Sequence, residues 1–304
     1  MLTTNYNYQE TLAASAKVNW RIEDIIGGEK RLDFTKPFMP ESLARTESLG
    51  FLSQDEKLLL NQIRGYGYLY IFGVVEEFIL PFVLDHARPH LNEDDYRTRA
   101  LLQFASEEAK HIHLFRKFAE EFKAGFVTNC EAIGPPEEIG KAVLANSPLG
   151  VALAILGIEW MTQQHYLESV RDDEDLDPQF KSLLRHHWME EAQHTKLDTL
   201  MVQALTDNRS AKEIEQGISD YWAIGVLIDG GIAQQVEFDM QALERATGRT
   251  LSESEQEQFR AIQRQALRWT YLGSAMTHAQ FLQTVGEINA AARTQIEEMS
   301  KTYS

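Results

Sequence analysis

The spacing of apolar positions is helical over most of the chain. From Ser53 onward they recur at helical intervals, and no segment alternates convincingly with a period of two. Ser53-Gln54-Asp55-Glu56 reads as a capping box: the Ser53 hydroxyl takes a free helix N–H and Glu56 reaches back. This predicts a first long helix running to about residue 90, kinked at Pro81. Asn92, followed by Glu93, Asp94 and Asp95, reads as the next N-cap, with a second helix to about Ala124. A loop through Gly134-Pro135-Pro136 precedes a short helix over 137–145. Ser147-Pro148 opens a third long helix to about Val170, and Asp177-Pro178 a fourth to about Leu205. Residues 210–300 read as two further long helices joined near Gly248, the second opened by the capping box Ser252-Glu253-Ser254-Glu255. Residues 1–50 are turn-rich and read as a short helix and loops lying over the rest. No linker or low-complexity tract divides the chain. The expectation is one all-α domain over 1–304: a four-helix bundle at about 53–206, an N-terminal cover at 1–50 and additional helices at about 210–300.

Composition agrees with helices and narrows the partners. The 304 residues are 43% hydrophobic, with only 18 Gly and 8 Pro. A net charge of −17 repels phosphate backbones and anionic lipid, so nucleic acid is excluded as an expected partner. The single cysteine, Cys130, allows no disulfide within the chain and no thiolate metal site, which suits a reducing cytoplasm. The N-terminus lacks a basic region followed by an apolar one, so no secretory signal is expected. The apolar run at 69–84 is too short and too acidic for a comfortable membrane span, and no membrane partner is expected.

That same run raises a chemical question. Residues 69–86 read LYIFGVVEEFILPFVLDH, with Glu76 and Glu77 in the middle of the most apolar segment. Burying an ionised carboxylate costs several kcal/mol unless something pairs with it. The rest of the chain supplies a candidate. Glu-x-x-His occurs as EEAKH at 107–111 and as EEAQH at 190–194, both on predicted long helices. One such pattern is expected by chance in a chain of this length; two in the same EEAxH form are harder to dismiss. Three residues apart, Glu108 and His111 share a helix face, as do Glu191 and His194. Each EEAxH helix follows a long helix with an acid in an apolar run: Glu159 in LAILGIEWM, and Glu76 or Glu77 in the first helix. Glu76 and Glu108 are 32 residues apart, and so are Glu159 and Glu191. The stripe through Glu76 (Leu69, Leu80, Val83) is more apolar than that through Glu77, which favours Glu76.

Glu, Glu-x-x-His, Glu, Glu-x-x-His on four helices is the ligand set of ferritin-like di-iron or di-manganese carboxylate bundles. Carboxylates are hard oxygen donors and two imidazoles complete a site suited to iron or manganese. Two Fe ions, or Mn or a mixed Fe/Mn pair, are therefore the expected cofactor. Glu107 and Glu190 read as solvated residues or as supports behind the ligands, and Asp198, four residues after His194, as an acceptor orienting a ligand histidine. Phe104, Phe115, Trp160 and Tyr166 are candidate pocket-lining residues, and His278 reads as core or pocket.

A third histidine extends the set. His187 precedes Glu191 by four and His194 by seven, which puts all three within about 60° of arc on one helix face. The resulting H187-W-M-E-E191-A-Q-H194 resembles the last ligand helix of the p-aminobenzoate N-oxygenase family, which includes the arylamine oxygenases of aureothin and chloramphenicol biosynthesis. The resemblance covers roughly 60–200. It implies a ferritin-like non-haem di-iron oxygenase that activates O₂ and oxidises an amine nitrogen stepwise. The matching ligands are Glu76 (or Glu77), Glu108, His111, Glu159, His187, Glu191 and His194. It also implies a small amine substrate, aromatic in type, and an external electron donor, since no flavin or nicotinamide fingerprint is visible. A homodimer is the assembly kept open for the chain. Competing readings keep the bundle and change the chemistry: a di-iron C–H hydroxylase or desaturase, a non-enzymatic ferritin-like iron protein, or a ribonucleotide reductase radical subunit. The last usually offers Asp as its first ligand, where this chain offers Glu.

Overall fold

The computed structural model describes residues 6–93 and 95–304. Among them there is no strand; Gly27 and Lys30 form one isolated bridge. Helix α1 (Tyr8–Ser15) and the short α2 (Glu41–Ala44) belong to the N-terminal segment. The bundle consists of α3 (Gln54–Ala87), α4 (Asp95–Gly125), α6 (Pro148–Gln164) and α7 (Pro178–Thr206), with α5 (Pro136–Leu144) in the central crossover. Helix α3 packs mainly on α4, and α6 on α7 and on α8 (Ala211–Thr247); α4 and α7 meet across the middle.

The helix starts follow local chemistry. Ser53, Ser210 and Ser252 each close a reciprocal capping box, with Glu56, Glu213 and Glu255. Ser147 and Asp177 accept from backbone N–H groups one turn on, and a proline at the first helical position follows each. Helix α8 ends at Gly248, whose φ of 67° is the left-handed conformation that glycine adopts without strain.

Three boundaries differ from the sequence expectation. The second bundle helix starts at Asp95, and Asn92 lies in the preceding turn; Asp94 falls outside the described residues. The third bundle helix does not run to Val170 as one α-helix, because His165–Val170 is a π-helical segment. The last expected long helix is broken. After α9 (Glu253–Arg268) comes a π segment (Trp269–Gly273), then α10 (Ser274–Thr277), α11 (Ala279–Ile288) and α12 (Ala290–Ser300). His278 and Asn289 adopt extended backbone at the breaks, and the Asn289 side chain caps α12.

The added helices wrap the α3/α6 side. Gly150 and Gly217 let α6 and α8 approach closely: a Cβ on Gly217 would lie 2.6 Å from Leu149, and one on Gly150 would lie 2.6 Å from Asp220. A buried pair, Arg64 and Asp239 at 3.4 Å, joins α3 to α8, and Gln235 donates to the same carboxylate at 2.7 Å. The N-terminal segment covers the opposite side, where α1 lies on α4 and α7. By length and composition Gln54–His90 could cross a bilayer, and 56% of its most apolar window is buried against the other helices.

Candidate metal centre

Four helices aim carboxylates and imidazoles at the bundle interior. Glu76 comes from α3, Glu108 and His111 from α4, Glu159 from α6, and His187, Glu191 and His194 from α7; all are buried. Donor atoms converge in two groups, Glu76 with His111, His187 and Glu191, and Glu108 with His111, Glu191 and His194. Within each group the donor atoms lie within 4.8 Å of one another.

Glu191 divides its oxygens between the groups. Its Oε1 lies 3.0 Å from His187 Nε2 and 3.1 Å from His111 Nδ1, while its Oε2 lies 3.3 Å from His194 Nδ1. His187 Nε2 is also 3.1 Å from Glu76 Oε1, and His194 Nδ1 is 2.9 Å from Glu108 Oε1. Glu77 is turned outward and pairs with Arg116 at 2.6 Å. Glu159 is buried, and its Oε2 has no hydrogen-bond partner, but it joins neither group.

Two further carboxylates set the imidazole tautomers. His111 Nε2 lies 2.8 Å from Glu190 Oε2, and His194 Nε2 lies 2.9 Å from Glu107 Oε2. A proton on Nε2 serves each bond and leaves the Nδ1 lone pair facing inward. The Nδ1 atoms of His111 and His194 and both oxygens of Glu108 and Glu191 are buried without hydrogen-bond partners. Nδ1 atoms facing carboxylate oxygens at 2.9–3.3 Å need a cation or a proton between them: a ring proton serves at His194, which its carboxylate neighbours raise, while His111, held neutral, leaves a place that a metal ion fills. Oxygen and imidazole donors in this number suit iron or manganese, and the three carboxylates of the two groups, Glu76, Glu108 and Glu191, offset most of the charge of two divalent ions. The residues fit a di-metal centre.

The electrostatics show how heavily burial weighs here. Burial pushes Glu191 up to about 7 against the favourable field of His194, with Glu76 and Asp198 adding to the rise. Glu190 is also raised to about 7 by burial, opposed by its bond to Lys110. His111 is held well below the usual imidazole range by burial and by His187 and His194. For His194, burial acts downward but is outweighed by Glu191 and Glu107, and the group lies well above that range.

Aromatic rings close the centre from outside. Phe104 stacks on His194 at 4.0 Å, and Phe115 meets His187 edge-on at 5.0 Å. Both back the ligands, and neither lines the apolar cavity between α3, α6 and α8. Trp160 stacks on His278 at 4.6 Å, and Tyr166 on Trp188 at 4.5 Å. Asp198 makes no hydrogen bond from either buried oxygen, so it is not the acceptor for a ligand histidine. One turn along α7 from His194, it shares that helix, whereas His194 Nε2 points across to α4.

The N-terminal segment supplies residues the sequence did not single out. Trp20 stacks parallel to His111 (6.1 Å between centroids, 8° between planes), and the Lys110 ammonium sits 3.8 Å above the Trp20 ring. Ser15 donates to Glu107. No local pattern marks either residue; the only available signal was the doubled acid of each EEAxH, which leaves one carboxylate free to reach the other helix.

No protein-family model matches the chain, and no curated protein matches it. Solved structures do resemble it. An R2-like ligand-binding oxidase variant with an aerobically reconstituted Fe/Fe cofactor superposes with a TM-score of 0.51 at 14% identity, over 88% of this chain and 93% of that one. Another variant, with an anaerobically reconstituted Mn/Fe cofactor, gives 0.50 at 15% identity, over 88% and 92%. At these identities the likeness is one of fold: the chain has the ferritin-like architecture of those oxidases.

Proposed function

We propose that this protein is a di-metal oxidase that uses O₂ to oxidise the nitrogen of a small aromatic amine. The metals are two Fe ions, or an Fe/Mn pair. The observation that carries the reading is His187. It is buried, lies on the Glu191–His194 face, and puts Nε2 within 3.1 Å of Glu76 and 3.0 Å of Glu191. An additional imidazole in this position is what the resemblance to N-oxygenases rests on, and an ordinary ferritin-like site has no need of it. The Fe/Fe and Mn/Fe cofactors of the R2-like oxidases support the choice of metals.

When bound, the metal pair would supply the binding and reduction of O₂. Glu76, Glu108, His111, His187, Glu191 and His194 would hold it; Glu159, buried on α6 with an unpartnered oxygen, is the remaining candidate. Glu107 and Glu190 keep the protons of His194 and His111 at Nε2, so that Nδ1 remains a donor. Phe104, Phe115 and Trp20 exclude water from the imidazoles. The balance for one step is that one oxygen atom goes to nitrogen, giving a hydroxylamine. The other leaves as water, with an electron pair and two protons from an external donor.

Anaerobic Fe(II) loading, followed by O₂ and an arylamine such as 4-methoxyaniline, tests the reading by mass spectrometry of the product. Oxygen on nitrogen is the expected result. Oxygen on carbon would move the chain to the hydroxylases, and iron oxidation with no organic product would leave an iron-storing bundle.

A further inference from the structure

A cavity of about 420 Å³ lies on the α3/α6 side of the bundle, against the helices that carry Glu76 and Glu159. Val75 and Ile158, each next in sequence to one of these acids, line it, and so do Phe72 and Met161. Phe72 stands one turn before Glu76 on the same face of α3. It meets His187 at 5.8 Å between ring centroids with the rings nearly perpendicular, so this one side chain touches both the cavity and a residue of the ligand set. The outer wall is α8, where Val226 and Leu227 are 73% and 40% exposed at the mouth. The opposite side of the centre is covered by Trp20 and α1.

The lining contains no Asp, Glu, Lys, Arg or His; its polar side chains are Gln234 and Tyr271. A carboxylate or ammonium placed here would be buried without a partner, at a cost of several kcal/mol. An anion would also approach a chain of net charge −17.

We infer that this cavity is the substrate chamber and that it takes an uncharged, largely apolar molecule that carries no acid group. The inference rests on the oxidase reading and narrows it: neutral arylamines fit, and aminobenzoates do not.

Two fluorescent probes with the same aromatic frame test this by equilibrium titration of the full chain, with and without iron. N-phenyl-1-naphthylamine is neutral, and 8-anilino-1-naphthalenesulfonate carries a sulfonate. Salt at about 0.5 M suppresses long-range repulsion, so that any remaining difference reflects the chamber. The neutral probe should bind at one site per chain and at least about tenfold more tightly, because burying an unpaired anion costs more than one decade of affinity. Gly230 lines the mouth, and a Cβ there would meet nothing within 4 Å, so Gly230→Phe should fold normally. It should weaken the neutral probe at least about fivefold, a loss within the range of one blocked apolar contact, with helix content and iron content unchanged. Equal or tighter binding of the sulfonate would overturn the inference, as would a Gly230→Phe variant with unaltered affinity. Iron loading and O₂ uptake, measured separately, report on the oxidase reading, so either can fail without the other.

Discussion

His194 on α7 bonds through Nε2 to Glu107 on α4 at 2.9 Å, and His111 on α4 bonds through Nε2 to Glu190 on α7 at 2.8 Å. The two EEAxH segments therefore support each other: the first acid of each orients the histidine of the other. An isolated motif could not be completed in this way, which gives the repetition a physical reason. Glu107→Gln and Glu190→Gln keep the size and remove the acceptor charge. Each should weaken metal binding by about 10–100-fold, the usual cost of losing such a support. Competition with a chelator measures it, and unchanged affinity in both variants would show that the crossed bonds do not tune the centre.

Metal content is the simplest check on the ligand set. Elemental analysis of protein loaded with Fe(II) should approach two ions per chain, as the paired donor groups require. Glu108→Ala should lose metal while keeping its helix content. Glu159→Ala is the sharper test, because Glu159 joins neither group yet keeps a buried, unpartnered oxygen on the same side. If it ligates when metal is bound, its removal lowers the stoichiometry; two tightly held ions in Glu159→Ala would strike it from the set.

Much of this arrangement is legible in the sequence because it is local. Ser53, Ser147, Asp177 and Ser252 mark helix starts by chemistry that operates within one turn, and those starts occur where the residues indicate. The spacing of His187, Glu191 and His194 likewise fixes a shared face before any tertiary contact forms. What is not legible depends on tertiary contact. His278 breaks a helix with neither Gly nor Pro beside it. Trp20 reaches His111 from a segment without periodicity. The apolar cavity arises where α3, α6 and α8 come together, which no single helix reveals. Phe104 and Phe115 show the same limit in reverse: their stripe identifies an inward face, but not whether that face meets a ligand or a chamber.

Acid stability should show the signature of a buried neutral histidine. His165 lies between the Tyr68 hydroxyl at 3.3 Å and the Ser274 hydroxyl at 3.0 Å, and burial pushes its pKa down to about 3. The unfolded chain protonates this side chain near its ordinary value of about 6.5. Between about 6.5 and about 3 the unfolded state thus holds more protons, so stability falls as pH falls through that window. The contribution is absent above it and approaches about 1.4 kcal/mol per pH unit within it. His165→Asn retains a hydrogen-bonding group that does not titrate. Urea midpoints measured from pH 7 to pH 4 should decline less steeply in the variant, and parallel slopes would remove His165 from the account.

The proposed N-oxygenation rests on His187, so its removal is the decisive substitution. Glu76, Glu108, His111, Glu191 and His194 remain in place in His187→Ala, and the variant should still bind two ions by elemental analysis. The loss concerns chemistry. Without Nε2 between Glu76 Oε1 at 3.1 Å and Glu191 Oε1 at 3.0 Å, one group is left with an imidazole fewer and a more anionic donor set. Imidazole is a neutral donor, and its replacement by water or by an approaching carboxylate alters the reactivity of the ion it served. O₂ uptake should therefore become uncoupled from substrate oxidation. The ratio of N-oxygenated product to O₂ consumed should drop by about tenfold or more, in line with the loss of a group that tunes a metal site, while iron content stays constant. His187→Gln, which restores volume but not the imidazole, should not recover the ratio. An unchanged ratio in both variants would show that His187 packs beside the centre without serving it, and the C–H hydroxylase reading would then take first place.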